Sequence, residues 1–447
     1  MKNIHYPVFL FSLNAILIIP TPAYQVQEIL TVQTPAVIFI ERGVIKGKSG
    51  DYRGAISDFT QAIKLDPNSD RAYYNRGTAL NELSDYQAAI ADFLQAVKIN
   101  PKRIDAYLNM GNARSALRDY TGAIADYNQA LKINPNFLDA YLNRGIAHRL
   151  LKDYTSAIAD YSQALKINPH YAEAYYNRGI VYDELEKSQS AIADYTRAIE
   201  IAPNFVSAYI NRGGTRRVLK DYTGAVADYT QAIKIAPNFA TAYNSRGIAY
   251  RLLQDYQSAI ADYNQALNLN PNYADAYYNR ANAYDDVNDF QAAIADYQKA
   301  AELYQQQGEM SDYQDALQQI QRVKVSTAGE LDRQGIEKTQ KGDNRGAIEV
   351  LTQAINLYPS YAGTYNNRGI AHSRSGDSRK AVEDFTQAIN LDANNPEIYF
   401  NRGIDLSLLG DKQKAIADFQ KAADLFQQQG RQDAAARALD AIKKIQQ

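Results

Sequence analysis

Hydrophobic and polar residues follow a helical period along most of the chain, and the same pattern returns every 34 residues. An aromatic residue, most often tyrosine, stands four positions before a small residue, and another large residue often stands three positions after it. These offsets put the three side chains on one stripe of a helix. The small residue is glycine in all units but one: Gly43, Gly77, Gly111, Gly145, Gly179, Gly213, Gly247, Ala281, Gly335, Gly369 and Gly403.

A second helix is predicted in each unit. Alanine stands twelve and nineteen positions after every aligned small residue, and phenylalanine or tyrosine lies between the two alanines in ten units. Alanine opposite a bulky ring lets two helices approach closely. Proline then ends the second helix in eight units. These prolines are Pro67, Pro101, Pro135, Pro169, Pro203, Pro237, Pro271 and Pro359.

This order of aromatic, glycine, alanine, aromatic, alanine and proline in a 34-residue unit resembles the tetratricopeptide repeat (TPR) family. The resemblance implies an all-α fold, a right-handed superhelical solenoid of antiparallel helix pairs with about eleven repeats. The chain has tyrosine where that family often has tryptophan, in keeping with its 35 Tyr and 0 Trp.

The repeats are predicted to form two arrays, because Ala281 and Gly335 are 54 residues apart instead of 34. We expect eight repeats over residues 36–307 and three over 328–429. Both arrays end in a similar sequence without the proline, KAAELYQQQG at 299–308 and KAADLFQQQG at 421–430, so the last second helix should run on to the glycine. An amphipathic segment follows each. We predict a capping helix and linker over 308–327, with a seam near 325–329, and a C-terminal capping helix over 430–447.

The first 23 residues have the pattern of an export signal: Lys2, an apolar core of 12 residues at 8–19, and the small residues Thr21 and Ala23. A membrane-spanning helix needs about 20 apolar residues. We therefore expect signal cleavage, an N-terminal extension over 24–35, and an exported protein that is periplasmic or extracellular. An uncleaved signal that tethers the chain to a membrane and a buried core segment are the alternatives.

Composition argues against several functions. Lys and Arg total 48 against 50 Asp and Glu, so there is no overall basic field for nucleic acid. The absence of cysteine removes thiolate chemistry, and only four histidines remain for metal or acid–base roles. His148 and His372 fall on the packing stripe, where a core or near-core histidine is expected. We predict no enzyme activity, no cofactor and no metal site.

Charged residues also recur in register. Arginine precedes the aligned glycine in nine units, and aspartate often stands fifteen positions after it, as Asp58, Asp92, Asp160 and Asp194 do. We expect Arg–Asp pairs that link the two helices or adjacent units, with direct ligand contact as the alternative.

Asparagine two positions before the small residue is the main candidate for function. This position lies off the packing stripe and, by the geometry of stacked pairs, on the concave side. A row of amides, which donate and accept, can hold the backbone of an extended peptide, and the row is similar to the asparagine ladder of certain TPR superhelices. The alternative is a local bond that steadies the first helix against its neighbour. The row is Asn75, Asn109, Asn143, Asn177, Asn211, Asn279, Asn367 and Asn401.

Residues beside the asparagines vary between units. The predicted groove includes Tyr74, Tyr176 and Tyr278 one position before the asparagine, and Arg149, Arg217 and Arg251 four positions after the glycine, where other units have Asp183 and Asp285. Amides that recur in each unit can bind the backbone of any peptide, while the varying residues beside them form pockets that select its side chains. Mixed charge argues against a purely basic clamp for a terminal carboxylate, although Arg217 and Arg251 can bind one locally.

The sequence therefore predicts a non-enzymatic scaffold that holds a protein or peptide segment in a concave groove. Nucleic acid and small-molecule substrates are not expected as partners, and a membrane is expected only through an uncleaved signal. A structural assembly factor, whose convex face and caps bridge subunits of an envelope or secretion complex, is the alternative.

Overall fold

A computed structural model describes residues 34–447, and every regular element in that range is an α-helix. The predicted export signal and nearly all of the N-terminal extension lie outside the described residues. The chain divides into two compact units, Met1–Ile167 and Asn168–Gln447. No helix of the described part combines the length and the apolar character that are needed to cross a membrane.

The first unit contains four helix pairs in its described part. The helices are α1 (Pro35–Lys48), α2 (Tyr52–Leu65), α3 (Asp70–Glu82), α4 (Tyr86–Ile99), α5 (Ile104–Ala116), α6 (Tyr120–Ile133), α7 (Leu138–Leu150) and α8 (Tyr154–Ile167).

The second unit continues with the same pairing and ends in a single helix. Its helices are α9 (Ala172–Glu184), α10 (Ser188–Ile201), α11 (Val206–Val218), α12 (Tyr222–Ile235), α13 (Ala240–Leu252), α14 (Tyr256–Leu269), α15 (Ala274–Asp286), α16 (Phe290–Gln307), α17 (Met310–Gln340), α18 (Asn344–Leu357), α19 (Ala362–Arg374), α20 (Ser378–Leu391), α21 (Pro396–Leu408), α22 (Lys412–Gln428) and α23 (Gln432–Gln446).

In most antiparallel pairs a ring of the second helix packs against a glycine of the first; Ala281 replaces the glycine in the α15–α16 pair, and Leu351 replaces the ring in the α17–α18 pair. A Cβ atom added to Gly179 would lie 2.7 Å from Cε1 of Tyr195, a distance too short for two carbon atoms. Tyr195 and the alanines on either side of it, Ala191 and Ala198, are fully buried. The predicted interlocking of small residues with large rings is therefore confirmed, and it explains why the aligned position is glycine or alanine.

In ten of the eleven described pairs, the turn ends with an aspartate that starts the second helix, whereas Lys187 takes this place in the α9–α10 pair. The Asp221 carboxylate, for example, accepts a hydrogen bond from Gly224 N at 2.9 Å, which satisfies one of the free N–H groups of the first turn. In the turns from Ser84 to Asn288, the residue directly before this aspartate or lysine is in the left-handed conformation. These residues are Ser84, Arg118, Lys152, Glu186, Lys220, Gln254 and Asn288, with φ from 58° to 63°, whereas glycine takes the place at Gly50, Gly342, Gly376 and Gly410.

The ends of the predicted arrays agree in part with the structure. Helix α16 runs to Gln307 and α22 to Gln428, and Gly308 and Gly430 follow in the left-handed conformation. The predicted seam near 325–329 is wrong, because α17 is continuous from Met310 to Gln340. That segment contains no proline, and one exposed glycine inside a helix costs only about 1 kcal/mol.

Both predicted capping segments pack against the helices that precede them. The first part of α17 buries Ala316, Ile320 and Val323 against α15 and α16. Helix α23 buries Ala434, Ala435 and Ala438 against α22. Because α17 is one helix from Met310 to Gln340, it packs against α16 and is also the first helix of the next pair. The two compact units divide after Ile167 and not at the predicted boundary of the arrays.

Candidate functional site

The first helices of successive pairs contact one another within each unit. In the first unit α1 meets α3, α3 meets α5 and α5 meets α7; in the second, α9 meets α11, α11 meets α13 and α13 meets α15. Successive second helices in the described residues do not approach as closely. The first helices thus form the inner layer of each unit, and we call the exposed side of that layer the inner face. In the second unit, Tyr176, Asn177 and Asp183 on α9 and Asn211 and Arg217 on α11 are half-buried residues of this layer.

All eight asparagines of the predicted row lie half-buried on first helices. In five of them, the amide Nδ2–H donates to a side chain 35 positions earlier, on the first helix of the preceding pair. The acceptor is the residue three positions before the aligned glycine. The bonds are Asn109 to Tyr74 Oη (3.2 Å), Asn211 to Tyr176 Oη (3.2 Å), Asn279 to Asn244 Oδ1 (3.1 Å), Asn367 to Asp332 Oδ1 (3.1 Å) and Asn401 to Asn366 Oδ1 (3.0 Å).

Two asparagines use other acceptors. Asn143 donates to Asn112 Oδ1 at 2.9 Å. Leu108 occupies the usual acceptor position on α5 and has no oxygen to offer, so the amide reaches a residue one turn further along. Asn177 donates to the backbone oxygen of Glu173 on its own helix at 2.8 Å. The amides of the row therefore bond the first helix of the preceding pair at six of the eight positions, which is the kind of bond that the alternative interpretation describes.

The three predicted groove tyrosines lie against the core and reach the inner face with their hydroxyls. The rings of Tyr74, Tyr176 and Tyr278 lie 6.0, 5.9 and 5.3 Å from the rings of Phe93, Tyr195 and Tyr297. Tyr278 donates its hydroxyl to Asp315 Oδ2 at 2.5 Å. Burial raises the pKa of both Tyr74 and Tyr278 above the usual value for a phenol. These hydroxyls therefore stay protonated at neutral pH.

The three predicted groove arginines have different surroundings. Arg149 is buried, whereas Arg217 and Arg251 are half-buried on the adjacent helices α11 and α13. Arg251 Nε donates to Asp286 Oδ2 at 2.5 Å. A carboxylate that approached Arg251 would therefore compete with Asp286.

The recurring arginine before the glycine is structural, as expected. In nine pairs its guanidinium bonds the recurring aspartate 16 positions later, which joins the first helix to the second. In several pairs the same arginine also reaches the preceding second helix, as when Arg212 donates to Thr196 Oγ1 at 2.9 Å. The pairs are Arg42–Asp58, Arg76–Asp92, Arg144–Asp160, Arg178–Asp194, Arg212–Asp228, Arg246–Asp262, Arg280–Asp296, Arg368–Asp384 and Arg402–Asp418.

Both repeat histidines lie beside aspartates of this ladder. Nε2 of His148 is 3.9 Å from Asp160 Oδ2, and Nε2 of His372 is 4.0 Å from Asp384 Oδ2. Burial lowers the pKa of His372 below the usual value for imidazole. The histidines are therefore core or near-core residues, as their place on the packing stripe predicted.

The hydroxyls of second-helix tyrosines were not predicted as part of the site. Tyr127 donates to Asn112 Oδ1 at 2.9 Å, Tyr195 to Asp183 Oδ2 at 2.8 Å, and Tyr297 to Asn282 Oδ1 at 2.9 Å. Each ring packs on a first helix, and its hydroxyl reaches polar side chains of that helix beside the amide row. The sequence does distinguish these units, since six successive units have tyrosine at this position and four others have phenylalanine, which lacks the hydroxyl.

Family models of the same repeat match much of the chain. A model described as "Tetratricopeptide repeat" matches residues 40–104 and 366–430. One described as "TPR repeat" matches residues 147–186, 217–254, 247–287 and 335–376. A further tetratricopeptide repeat model matches residues 104–137, 172–205 and 274–307. No curated protein matches the chain.

Several solved structures are similar to parts of the chain. A tetratricopeptide repeat protein from Parabacteroides merdae is 20% identical, covers 56% of this chain and 98% of its own, and has a TM-score of 0.45. MamA from Desulfovibrio magneticus is 21% identical, covers 37% of this chain and 94% of its own, and has a TM-score of 0.35. YrrB, described as a TPR protein with an unusual peptide-binding site, is 22% identical over 41% of this chain and 95% of its own, with a TM-score of 0.36.

Proposed function

Because the chain belongs to the tetratricopeptide repeat family, whose fold is a scaffold for protein interactions, we propose that it is a non-enzymatic scaffold that holds an extended segment of a partner protein against the inner face. The asparagine row would bind the peptide backbone. The observation that supports this proposal is the regular placement of half-buried carboxamides on adjacent first helices.

The hydrogen bonds of the row leave part of each amide available. A carboxamide has two N–H groups and an oxygen that accepts two bonds. The bond from Asn211 to Tyr176 uses one N–H group, and it fixes the orientation of the amide that remains. Fixed donors and acceptors bind a peptide at a lower entropic cost than freely rotating ones. The inter-helix bond therefore supports peptide capture by pre-orienting the amides.

The structural assembly factor remains a second candidate, and the same bonds favour it. An amide that only joins first helices would stiffen the array and need no peptide. In that case the turns and the caps would carry the interactions. The exposed leucines of the turns, such as Leu151 and Leu253, would then contact the bridged subunits.

Export belongs to this proposal as well. It rests on the charged start, the apolar core and the small residues of positions 1–23. The partner would accordingly be a protein or peptide segment outside the cytoplasm, and the chain would meet a membrane only if the signal stayed attached.

Backbone methylation of a peptide tests the proposed mode of binding. Fluorescein-labelled peptides of alternating serine and alanine, long enough to cross several repeats, serve as the probe for fluorescence anisotropy with the whole protein. Capture through the backbone predicts binding of the plain peptide and loss of binding when its central amides are N-methylated. Absence of binding, or equal binding of the two peptides, would overturn backbone capture and favour the structural candidate.

A further inference from the structure

Asp183 on α9 has an unusual environment on the inner face of the second unit. Its Oδ2 accepts a hydrogen bond from the hydroxyl of Tyr195 on α10 at 2.8 Å. The hydroxyl of Thr215 on α11 lies 2.9 Å from Oδ1 and 2.8 Å from Oδ2. Three helices therefore hold one half-buried carboxylate in a fixed position.

On α15, Asp285 at the corresponding place and the next residue, Asp286, are each bonded by an arginine, whereas Asp183 is not. Arg322 Nη2 lies 2.6 Å from Asp285 Oδ2, and Arg251 Nε lies 2.5 Å from Asp286 Oδ2. In the part of the chain that the structure describes, the hydrogen-bond donors to the Asp183 carboxylate are hydroxyls. Arg217, which has the place on α11 that Asp183 has on α9, forms no ion pair with Asp183. Among the described residues, the carboxylate of Asp183 is thus hydrogen-bonded by hydroxyls and has no arginine bonded to it.

The same site adjoins the amide row. Thr215 also donates to the backbone oxygen of Asn211 at 2.9 Å, and the amide of Asn211 bonds Tyr176, whose ring lies 5.9 Å from the ring of Tyr195. An aromatic ring, a carboxamide and a carboxylate therefore meet at one place. Rings and carboxylates both attract cations.

We infer that Asp183, positioned by Tyr195 and Thr215, is a subsite for the ammonium or guanidinium group of a lysine or arginine side chain in the bound segment. This inference rests on the proposed function, since the asparagines would hold the backbone while Asp183 selects a side chain. It assigns the second unit a preference for peptides with a basic residue.

Burial supports this assignment. It raises the pKa of the Asp183 carboxyl, against the hydrogen bonds of Thr215 and Tyr195, and the neighbouring Glu184 raises it further. A buried carboxylate without a basic partner is costly, and a bound cation relieves that cost. A neutral side chain in the same place does not.

The test compares peptides that differ in one residue. Three fluorescein-labelled peptides of alternating serine and alanine carry lysine, glutamine or glutamate at the centre, and anisotropy gives their affinities for the whole protein. We expect the lysine peptide to bind about tenfold more tightly than the glutamine peptide and the glutamate peptide to bind most weakly. Asp183→Asn should make the lysine and glutamine peptides equal.

Asp285 supplies a matched control and a gain-of-function variant. Asp285→Asn should leave the lysine preference unchanged, because Arg322 already neutralises that carboxylate. Arg322→Ala should increase the preference by opening a second carboxylate. Thr215→Ser should retain the preference and Thr215→Val should reduce it, if the hydroxyl positions Asp183.

Two results separate this inference from the proposed function. If all three peptides bind equally to the unmodified protein, or if Asp183→Asn keeps the lysine preference, the subsite is wrong while peptide capture stands. If none of the peptides binds, both fail. If Arg322→Ala does not increase the preference for the lysine peptide, this result would contradict the argument that a carboxylate without an arginine partner binds the lysine.

Discussion

Arg178 on α9 donates from Nε and Nη2 to the two carboxylate oxygens of Asp194 on α10, at 2.7 and 2.8 Å. This paired bond closes one helix pair and returns in eight others. The α5–α6 pair departs from it, because Met110 stands where the arginine would be. There the buried Asp126 is bonded by Arg114, one turn further along α5, at 2.7 Å. The α5–α6 pair should therefore respond to pH differently from its neighbours.

Asp126 should make the stability of α5 and α6 fall as the pH rises from about 4 to about 6. Burial raises the pKa of Asp126 to about 6, although Arg114 lowers it. Aspartate in an unfolded chain titrates near pH 4. Between these values the folded state holds a proton that the unfolded state has released, so folding is favoured at the acidic end of the window. Hydrogen-exchange protection factors of the two helices measure this fall.

Met110→Arg supplies the missing arginine and should flatten that pH dependence. The α11–α12 pair shows that two arginines fit on one carboxylate, since Arg212 and Arg216 lie 2.6 and 2.8 Å from Asp228. Asp126→Asn, which removes the titrating group, is the control and should flatten the profile equally. An unchanged profile in both variants would show that Asp126 is not responsible.

Lys152→Gly should stabilise the array by about 1 kcal/mol. Lys152 has φ of 61°, a conformation that costs a residue with a side chain roughly 1–2 kcal/mol and that glycine adopts readily. The reverse change, Gly342→Lys, should destabilise by a similar amount, since Gly342 has φ of 82°. Urea unfolding gives both values. A loss of stability in Lys152→Gly would show that the lysine side chain makes a contact worth more than the strain.

Ala191→Leu should destabilise the α9–α10 pair by about 1–3 kcal/mol, because Ala191 is fully buried where the helices cross and a larger side chain overpacks the contact. The control is Ala193→Leu on the exposed side of the same helix, which should change little. Each repeat contacts mainly its neighbours, so the damage should stay local in hydrogen exchange. Full tolerance of Ala191→Leu would contradict the packing register.

The intact mass of the exported protein tests the signal. Cleavage after Ala23 predicts a chain that begins at Tyr24. A mass that includes residues 1–23 in a membrane fraction would support the tether, and the full-length chain in the cytoplasm would contradict export.

Much of the fold was predictable because each unit repeats the same local rules. The 34-residue spacing fixes which glycine meets which ring, and the Arg–Asp offset of 16 identifies an ion pair without coordinates. The continuity of α17 was missed because a solitary glycine such as Gly329 marks a possible helix end without enforcing one. The partners of the asparagines were missed for another reason: they lie on the preceding first helix, and the inter-helix register decides whether Tyr176 or Leu108 faces the amide.

The central claim is that the asparagine row binds a peptide backbone, and a triple variant tests it most directly. Changing Asn143, Asn177 and Asn211 together to alanine should weaken binding of the alternating serine–alanine peptide by about 10- to 1000-fold, at roughly 0.5–1.5 kcal/mol for each hydrogen bond. Tyr176→Phe, which removes the acceptor of Asn211 in the neighbouring helix, is the control for loosened packing and should cost much less. Helicity should persist in both variants. Unchanged affinity in the triple variant, or an equal loss in Tyr176→Phe, would contradict backbone capture by the row.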